Sequence, residues 1–263
     1  MEYIRKDIKI RHTDVNMAGD PSCHYFKNLP ANFDEHERFF TAIKGLKPVP
    51  RTIIDVGANI GLFALGAAFE FPDAQIVAYE PHPSAFGALQ ENLHQYSPRL
   101  TARNLALAAT TKEVSLYPGG PVNFQRSAGS HLVNDTHWKD QNERIKIRAA
   151  TLDEEVAALN LDGIDVVKID VEGFELDVIE GMAKTISSFN PLIIFEFNAW
   201  ALMALKNINP RTALEIVRSK FSNVSRIQKD GGLQPISDDD EAMRFLHDNL
   251  IFHGCVDDLL LWN

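Results

Sequence analysis

The feature that most constrains this chain is Thr52-Ile-Ile-Asp-Val-Gly-Ala-Asn-Ile-Gly61, followed by Ile76-Val-Ala-Tyr-Glu-Pro81. Ile53 and Ile54 form a short apolar run suited to a strand buried on both faces of a parallel sheet, and Asp55 ends it. Gly57 and Gly61 bracket a turn whose missing Cβ atoms permit unusual backbone angles and close approach of a ligand to the main chain. Leu62, Phe63, Leu65 and Ala68 continue as a helix that Pro72 and Asp73 close before the second strand. The pattern predicts a βαβ unit. In such units ligands lie beyond the carboxyl ends of the strands, so Asp55, the turn residues Gly57, Ala58, Asn59 and Gly61, and Glu80 should face one crevice.

The glycine spacing separates two ligand classes. A dinucleotide fold prefers G-x-G-x-x-G, because a pyrophosphate must approach the helix N-terminus. Here Asn59 stands where the second glycine would be, which disfavours a close pyrophosphate and hence an NAD-dependent oxidoreductase. S-adenosylmethionine carries no phosphate. It needs an acceptor for its ammonium group and an acid for its ribose diol, and Asp55 and Glu80 are placed to supply both. Taken singly, Asp55 could cap the following helix and Glu80 could be an exposed loop acid. Their joint placement at consecutive strand ends favours a nucleoside ligand. A non-catalytic nucleoside-binding protein would need the same two acids and stays open as an alternative.

Ile164-Asp-Val-Val-Lys-Ile-Asp-Val-Glu-Gly-Phe-Glu175 supplies a third strand end. Together, Asp55-Val-Gly-Ala-Asn-Ile-Gly61 and Lys168-Ile-Asp-Val-Glu-Gly-Phe-Glu-Leu176 closely resemble the FkbM-type methyltransferase family, over roughly residues 50 to 200. The resemblance implies an α/β, Rossmann-like class I methyltransferase fold: a mostly parallel seven-stranded sheet with helices on both faces and a C-terminal antiparallel hairpin. It also implies S-adenosyl-L-methionine as methyl donor and transfer to an oxygen, often a hydroxyl of a sugar or natural product. By the same resemblance Asn104 is the adenine-side candidate, although a turn-capping role suits it as well. Neither the first 45 or so residues nor those after Ile208 carry a recognisable pattern, so no substrate is inherited.

Methyl transfer to a hydroxyl requires alignment of the reacting atoms and a group to take the proton. Asp170 and Glu172, at and just beyond the third strand end, and His131 in a long loop are the catalytic candidates, with Glu196 and His82 behind them. Ser130 borders that loop as a further cofactor contact, while loop Ser and His residues are also common on plain surface. Lys168 shares a strand face with Asp170, which predicts a buried ion pair. The nine His show no HxxxH or HxH pairing, so no metal is expected.

The remaining chain is read from periodicity. Asn32 before Asp34, Glu35 and Glu37, with Phe39, Phe40, Ile43 and Leu46 at helical spacing, predicts a capped amphipathic helix that covers the cofactor cleft or packs beside it. Residues 1–48 are thus an N-terminal extension and residues 49–263 the methyltransferase domain. Within it, residues 112–149 form an inserted strand-loop-strand segment. Phe174, Leu176, Val178, Ile179 and Met182 predict one helix, and Pro191 to Phe197 a buried strand.

The net charge of −10, from 26 basic and 36 acidic residues, argues against a nucleic-acid partner and for a small, neutral or cationic hydroxyl acceptor. No apolar run reaches the ~18 residues of a membrane span. Met1-Glu-Tyr-Ile-Arg-Lys-Asp lacks a signal-peptide core, and Cys23 and Cys255 read as free thiols, which together predict a cytoplasmic protein.

Overall fold

A computed structural model describes residues 3–10, 12–21, 23–96, 98–117, 131–133 and 144–263. The chain opens with a hairpin of β1 (Ile4–Ile10) and β2 (Thr13–Gly19), then helices α1 (His24–Lys27) and α2 (Leu29–Leu46). The expected alternation follows: β3 (Thr52–Val56), α3 (Leu62–Glu70), β4 (Gln75–Tyr79), α4 (Pro83–His94) and β5 (Leu100–Arg103). Next come β6 (Ala106–Leu107), β7 (Lys112–Tyr117), β8 (His131–Val133) and β9 (Ile145–Ala150), which form a separate small sheet in the order β6-β9-β7-β8. The chain continues through α5 (Leu152–Ala158), β10 (Val166–Ile169), α6 (Glu175–Glu180), α7 (Ala183–Phe189), β11 (Leu192–Asn198), α8 (Ala199–Lys206) and α9 (Pro210–Lys220). It ends with β12 (Asn223–Ile227), β13 (Leu233–Pro235), α10 (Asp239–Ile251) and β14 (Val256–Trp262).

The main sheet runs β13-β12-β14-β11-β10-β3-β4-β5. Strands β11, β10, β3, β4 and β5 pair in parallel, and β14 is antiparallel to both of its neighbours. The seven strands from β12 to β5 are those of a class I methyltransferase, and short β13 adds an eighth by a hairpin with β12. Chain direction leaves β3 towards β4 on one side and towards β10 on the other. This switch point opens a crevice at the carboxyl ends of β3, β4 and β10.

Ile53, Ile54, Ile193, Ile194 and Phe195 are buried because helices cover both faces. One apolar cluster joins α2, α3 and α4 to the sheet and includes Ile8, Ile10, Val15 and Met17 of the N-terminal hairpin; the other lies under α6, α9 and α10. Among the described residues no helix is long and apolar enough to cross a membrane.

Two local expectations are corrected. Helix α2 begins at Leu29, so Asn32 lies inside it; Asn28 occupies the cap position without a side-chain bond, and Pro30 sits in the first turn. Proline's fixed φ suits that turn and lets the helix start earlier than the Asn-acid pattern suggests. The stretch from Phe174 to Met182 is not one helix either. It breaks at Gly181, where a Cβ would stand 2.1 Å from the carbonyl oxygen of Ala108. The chain there passes directly against the β6 end.

Candidate functional site

At the end of β3 the backbone turns sharply because the N–H groups of Gly57 and Ala58 both donate to the Tyr79 carbonyl of β4, at 3.0 and 2.9 Å. Gly57 has φ +81°, and a Cβ there would lie 1.8 Å from the Asp170 carbonyl oxygen. The ends of β3 and β10 can approach this closely only across a glycine. Asn59, at φ +50°, then aims its N–H at Glu80 Oε2, 2.8 Å away. The other oxygen, Oε1, accepts from the His82 N–H at 2.7 Å. Glu80 is buried, and that burial pushes its carboxyl up to about 7 against the pull of the two N–H groups. Each oxygen keeps a lone pair for a donor from the crevice.

Asp55 is fully buried, and neither of its carboxylate oxygens has a hydrogen-bond partner. Its nearest cation is Lys168 Nζ at 3.8 Å, which also stands 3.0 Å from Asp170 Oδ2. Burial raises the Asp55 carboxyl to about 6, with Lys168 opposing. Burial likewise disfavours the Lys168 ammonium, but Asp170 and Asp55 outweigh it and hold this lysine charged above its ordinary range. The strand-face argument for Lys168 and Asp170 therefore describes the observed pair.

These groups line a cavity of about 300 Å³. Leu105, Ala106, Leu107 and Leu116 give it an apolar wall, and Asp170, Glu172 and Glu196 an acidic one. Glu172 has φ +54° and takes a 3.4 Å contact from Asn198 Nδ2. Burial, then the Asp170 and Glu175 charges, push its carboxyl up to about 8. Glu175 braces the loop beneath: its Oε1 accepts from the N–H groups of Val171 and Gly173, at 3.1 and 3.0 Å. Behind Glu196 lies Asp258, its register partner on β14, which pairs with Arg38 from α2.

Of the residues singled out from sequence, the cavity brings together Asp55, Gly57, Ala58, Asn59, Glu80, Asp170, Glu172 and Glu196. Gly61 stays beneath as the left-handed cap residue of α3. Asn104 does not line the cavity; its amide donates to the carbonyls of Glu80 and Pro81, at 2.8 and 3.2 Å, and so braces the turn after β4. His82 does not line it either. Its Nδ1 caps α4 by accepting from Ser84 and Ala85. The backbone of His131 lies in β8, opposite Tyr117, where a loop was expected. Ser130 lies outside the described residues.

Sequence reasoning missed Tyr25, Glu35 and His36, which the N-terminal segment contributes to the lining. Burial, with Lys168 and Arg38 nearby, pushes His36 down to about 3, so its imidazole is neutral; its Nδ1 has no partner. Nothing local in the sequence signals these three. Glu175 did leave a signal, since an acid in the first helical turn that reaches back to preceding N–H groups resembles half a capping box.

The raised carboxyls predict a pH dependence. Glu80 and Glu175 move from 4.5 to about 7 and Glu172 to about 8 on folding. The folded protein thus binds these protons more tightly than the unfolded chain. The stability they confer is present below their unfolded values and lost as pH rises through 7 to 8. The ligand-free protein should melt several degrees lower at pH 8 than at pH 6. Calorimetric scans showing the reverse would mean that the acids are solvated or paired.

The crevice suits a nucleoside with cationic groups and no phosphate. Asp55 offers two carboxylate oxygens free of well-formed hydrogen bonds, Glu80 two half-used ones, and among the described residues no arginine or lysine other than Lys168 lines the cavity. A family model described as the methyltransferase FkbM domain matches residues 55–248. Methyltransferase 1 of Beauveria bassiana is 31% identical over 192 residues, covering 66% of this chain and 75% of that protein. Hexuronic acid methyltransferase AglP of Haloferax volcanii is 30% identical over 140 residues, 53% of each chain. AMB antimetabolite synthetase AmbE of Pseudomonas aeruginosa is 29% identical over 164 residues, 51% of this chain but 8% of that protein. The chain thus spans about half of AglP and a small part of AmbE.

Proposed function

The chain belongs to the FkbM methyltransferase family, and we propose from this that it is an S-adenosylmethionine-dependent O-methyltransferase acting on a hydroxyl of a sugar or other small natural product. The observation that carries the cofactor reading is the placement of Asp55, whose oxygens make no well-formed hydrogen bond and have Lys168 as their nearest cation at 3.8 Å, beside Glu80 at adjacent strand ends of one cavity. Asp55 receives the ammonium and Glu80 the ribose diol, while the turn with Gly57 and Asn59 at positive φ lets the ligand approach the main chain closely. The bound donor supplies an electrophilic methyl on its sulfonium.

The protein's part is alignment, exclusion of water and removal of a proton. Asp170, anchored by Lys168, and Glu172, on a strained turn against Asn198, line the same cavity at the β10 end and would stand on the acceptor's side of a bound donor. Asp170 takes the acceptor's proton, and Glu172 holds the acceptor. The apolar wall from Leu105 to Leu107 and Leu116 encloses the adenine side.

The direct test is calorimetric titration with S-adenosylhomocysteine and, in parallel, NAD. Micromolar binding of S-adenosylhomocysteine alone is the expected result. Binding of NAD, or of neither, would overturn the cofactor assignment.

A further inference from the structure

Among the described residues, the inner end of the cavity holds more carboxyl groups than the donor and the local cations can neutralise. Lys168 serves Asp55 and Asp170, and Arg38 is spent on Asp258 and the Ile227 carbonyl. S-adenosylmethionine has one net positive charge, from a sulfonium and an ammonium against one carboxylate. Setting Lys168 and the donor against Asp55 and Asp170 leaves that part neutral. Glu80 and Glu175 are each answered by two backbone N–H groups. Glu172 and Glu196 have no such answer. Among the described residues neither makes a salt bridge, and the polar contact given for Glu172 is the 3.4 Å approach of Asn198 Nδ2. Glu196 Oε2 is buried, without a hydrogen-bond partner, on a residue that lines the cavity.

Acids left without a counter-charge in a partly closed cavity are costly, so they persist where a ligand completes them. Resting on the methyltransferase reading, we propose that Glu172 and Glu196 form a subsite for a cationic group, an ammonium or guanidinium, carried by the hydroxylated acceptor. Both acids are rigidly presented. Glu196 sits in β11 opposite Asp258, and Asn198, which contacts Glu172, is fixed by its own Oδ1 accepting the Ala201 N–H at 3.0 Å. In the ligand-free cavity burial, and after it the Asp170 charge, push both carboxyls up, Glu172 to about 8. A bound ammonium reverses that effect and recovers the energy of ionising them. An acceptor bearing a carboxylate gains no such energy and is repelled by either acid once it ionises.

The test uses the donor as an anchor. Analogues of S-adenosylmethionine in which the sulfonium is replaced by nitrogen, with a two-carbon arm in place of the methyl, are titrated into the protein. The arm ends in an amine, a hydroxyl or a carboxylate. The amine arm should bind at least about tenfold more tightly than the carboxylate arm. Glu196→Gln should remove most of that preference while S-adenosylhomocysteine affinity is kept. A carboxylate arm that binds as well as the amine, or a preference that survives in E196Q, would overturn the subsite alone. Failure of S-adenosylhomocysteine to bind the wild type would overturn the donor reading and this one with it. If E196Q loses S-adenosylhomocysteine binding, the wild-type comparison decides.

Discussion

Replacing Gly57 by Ala should lower the unfolding free energy by about 3 kcal/mol or more, from left-handed backbone strain together with overpacking. The residue sits at φ +81°, and the added methyl would lie 1.8 Å from the Asp170 carbonyl oxygen. No side-chain rotation relieves that contact, because the obstacle is backbone. Either β3 or β10 must shift, and both are central strands of the sheet. The loss should appear in urea unfolding followed by intrinsic fluorescence, as a lower midpoint with an unchanged slope. The same shift would move Asp170 relative to Asp55, so surviving folded protein should bind S-adenosylhomocysteine poorly. A G57A protein within about 1 kcal/mol of wild type would mean that the two strand ends are not in this contact.

Glu80→Gln is the second large effect, and it falls on affinity. The carboxylate accepts from Asn59 N–H at 2.8 Å and His82 N–H at 2.7 Å while keeping lone pairs for the cavity. An amide in its place must turn an NH2 group towards one of those N–H donors, and it loses the charge that strengthens a bond to a ribose hydroxyl. We expect the dissociation constant for S-adenosylhomocysteine to rise about 10- to 100-fold, the equivalent of ~1.4–2.8 kcal/mol. Calorimetry measures it directly. A change of less than about twofold would place the ribose elsewhere. The effect should also shrink below pH 7 in the wild type, since Glu80 takes up a proton at about 7 and then resembles the variant.

The two predictions draw on different levels of the chain. Asp55, Gly57, Asn59 and Glu80 were legible in the sequence because each obeys a local rule: apolar runs make strands, glycines mark left-handed turns, and side chains alternate along a strand. Lys168 and Asp170 were legible as a pair for the same reason, being two residues apart on one face. The family's βα order likewise carried the class of fold.

Other features depend on contacts between residues far apart in sequence. Asn104 could be read as an adenine contact until the tertiary structure spent its amide on Glu80 and Pro81. The helix of Glu35 and His36 and its place at the cleft were legible from periodicity, but which of its side chains reach the cavity was set by its docking on α3. Glu196 gained its acidic neighbour only when β14 entered the sheet beside β11. Hydrophobic periodicity tells which face of an element is buried, without naming the element that buries it. Sequence thus determined the chemistry at the ends of β3, β4 and β10, because turns and strand faces are set within a few residues. Tertiary packing decided the acidic wall as a whole, setting Glu172 and Glu196 in one cavity and bringing Asp258 with its partner Arg38 behind Glu196 from across the chain.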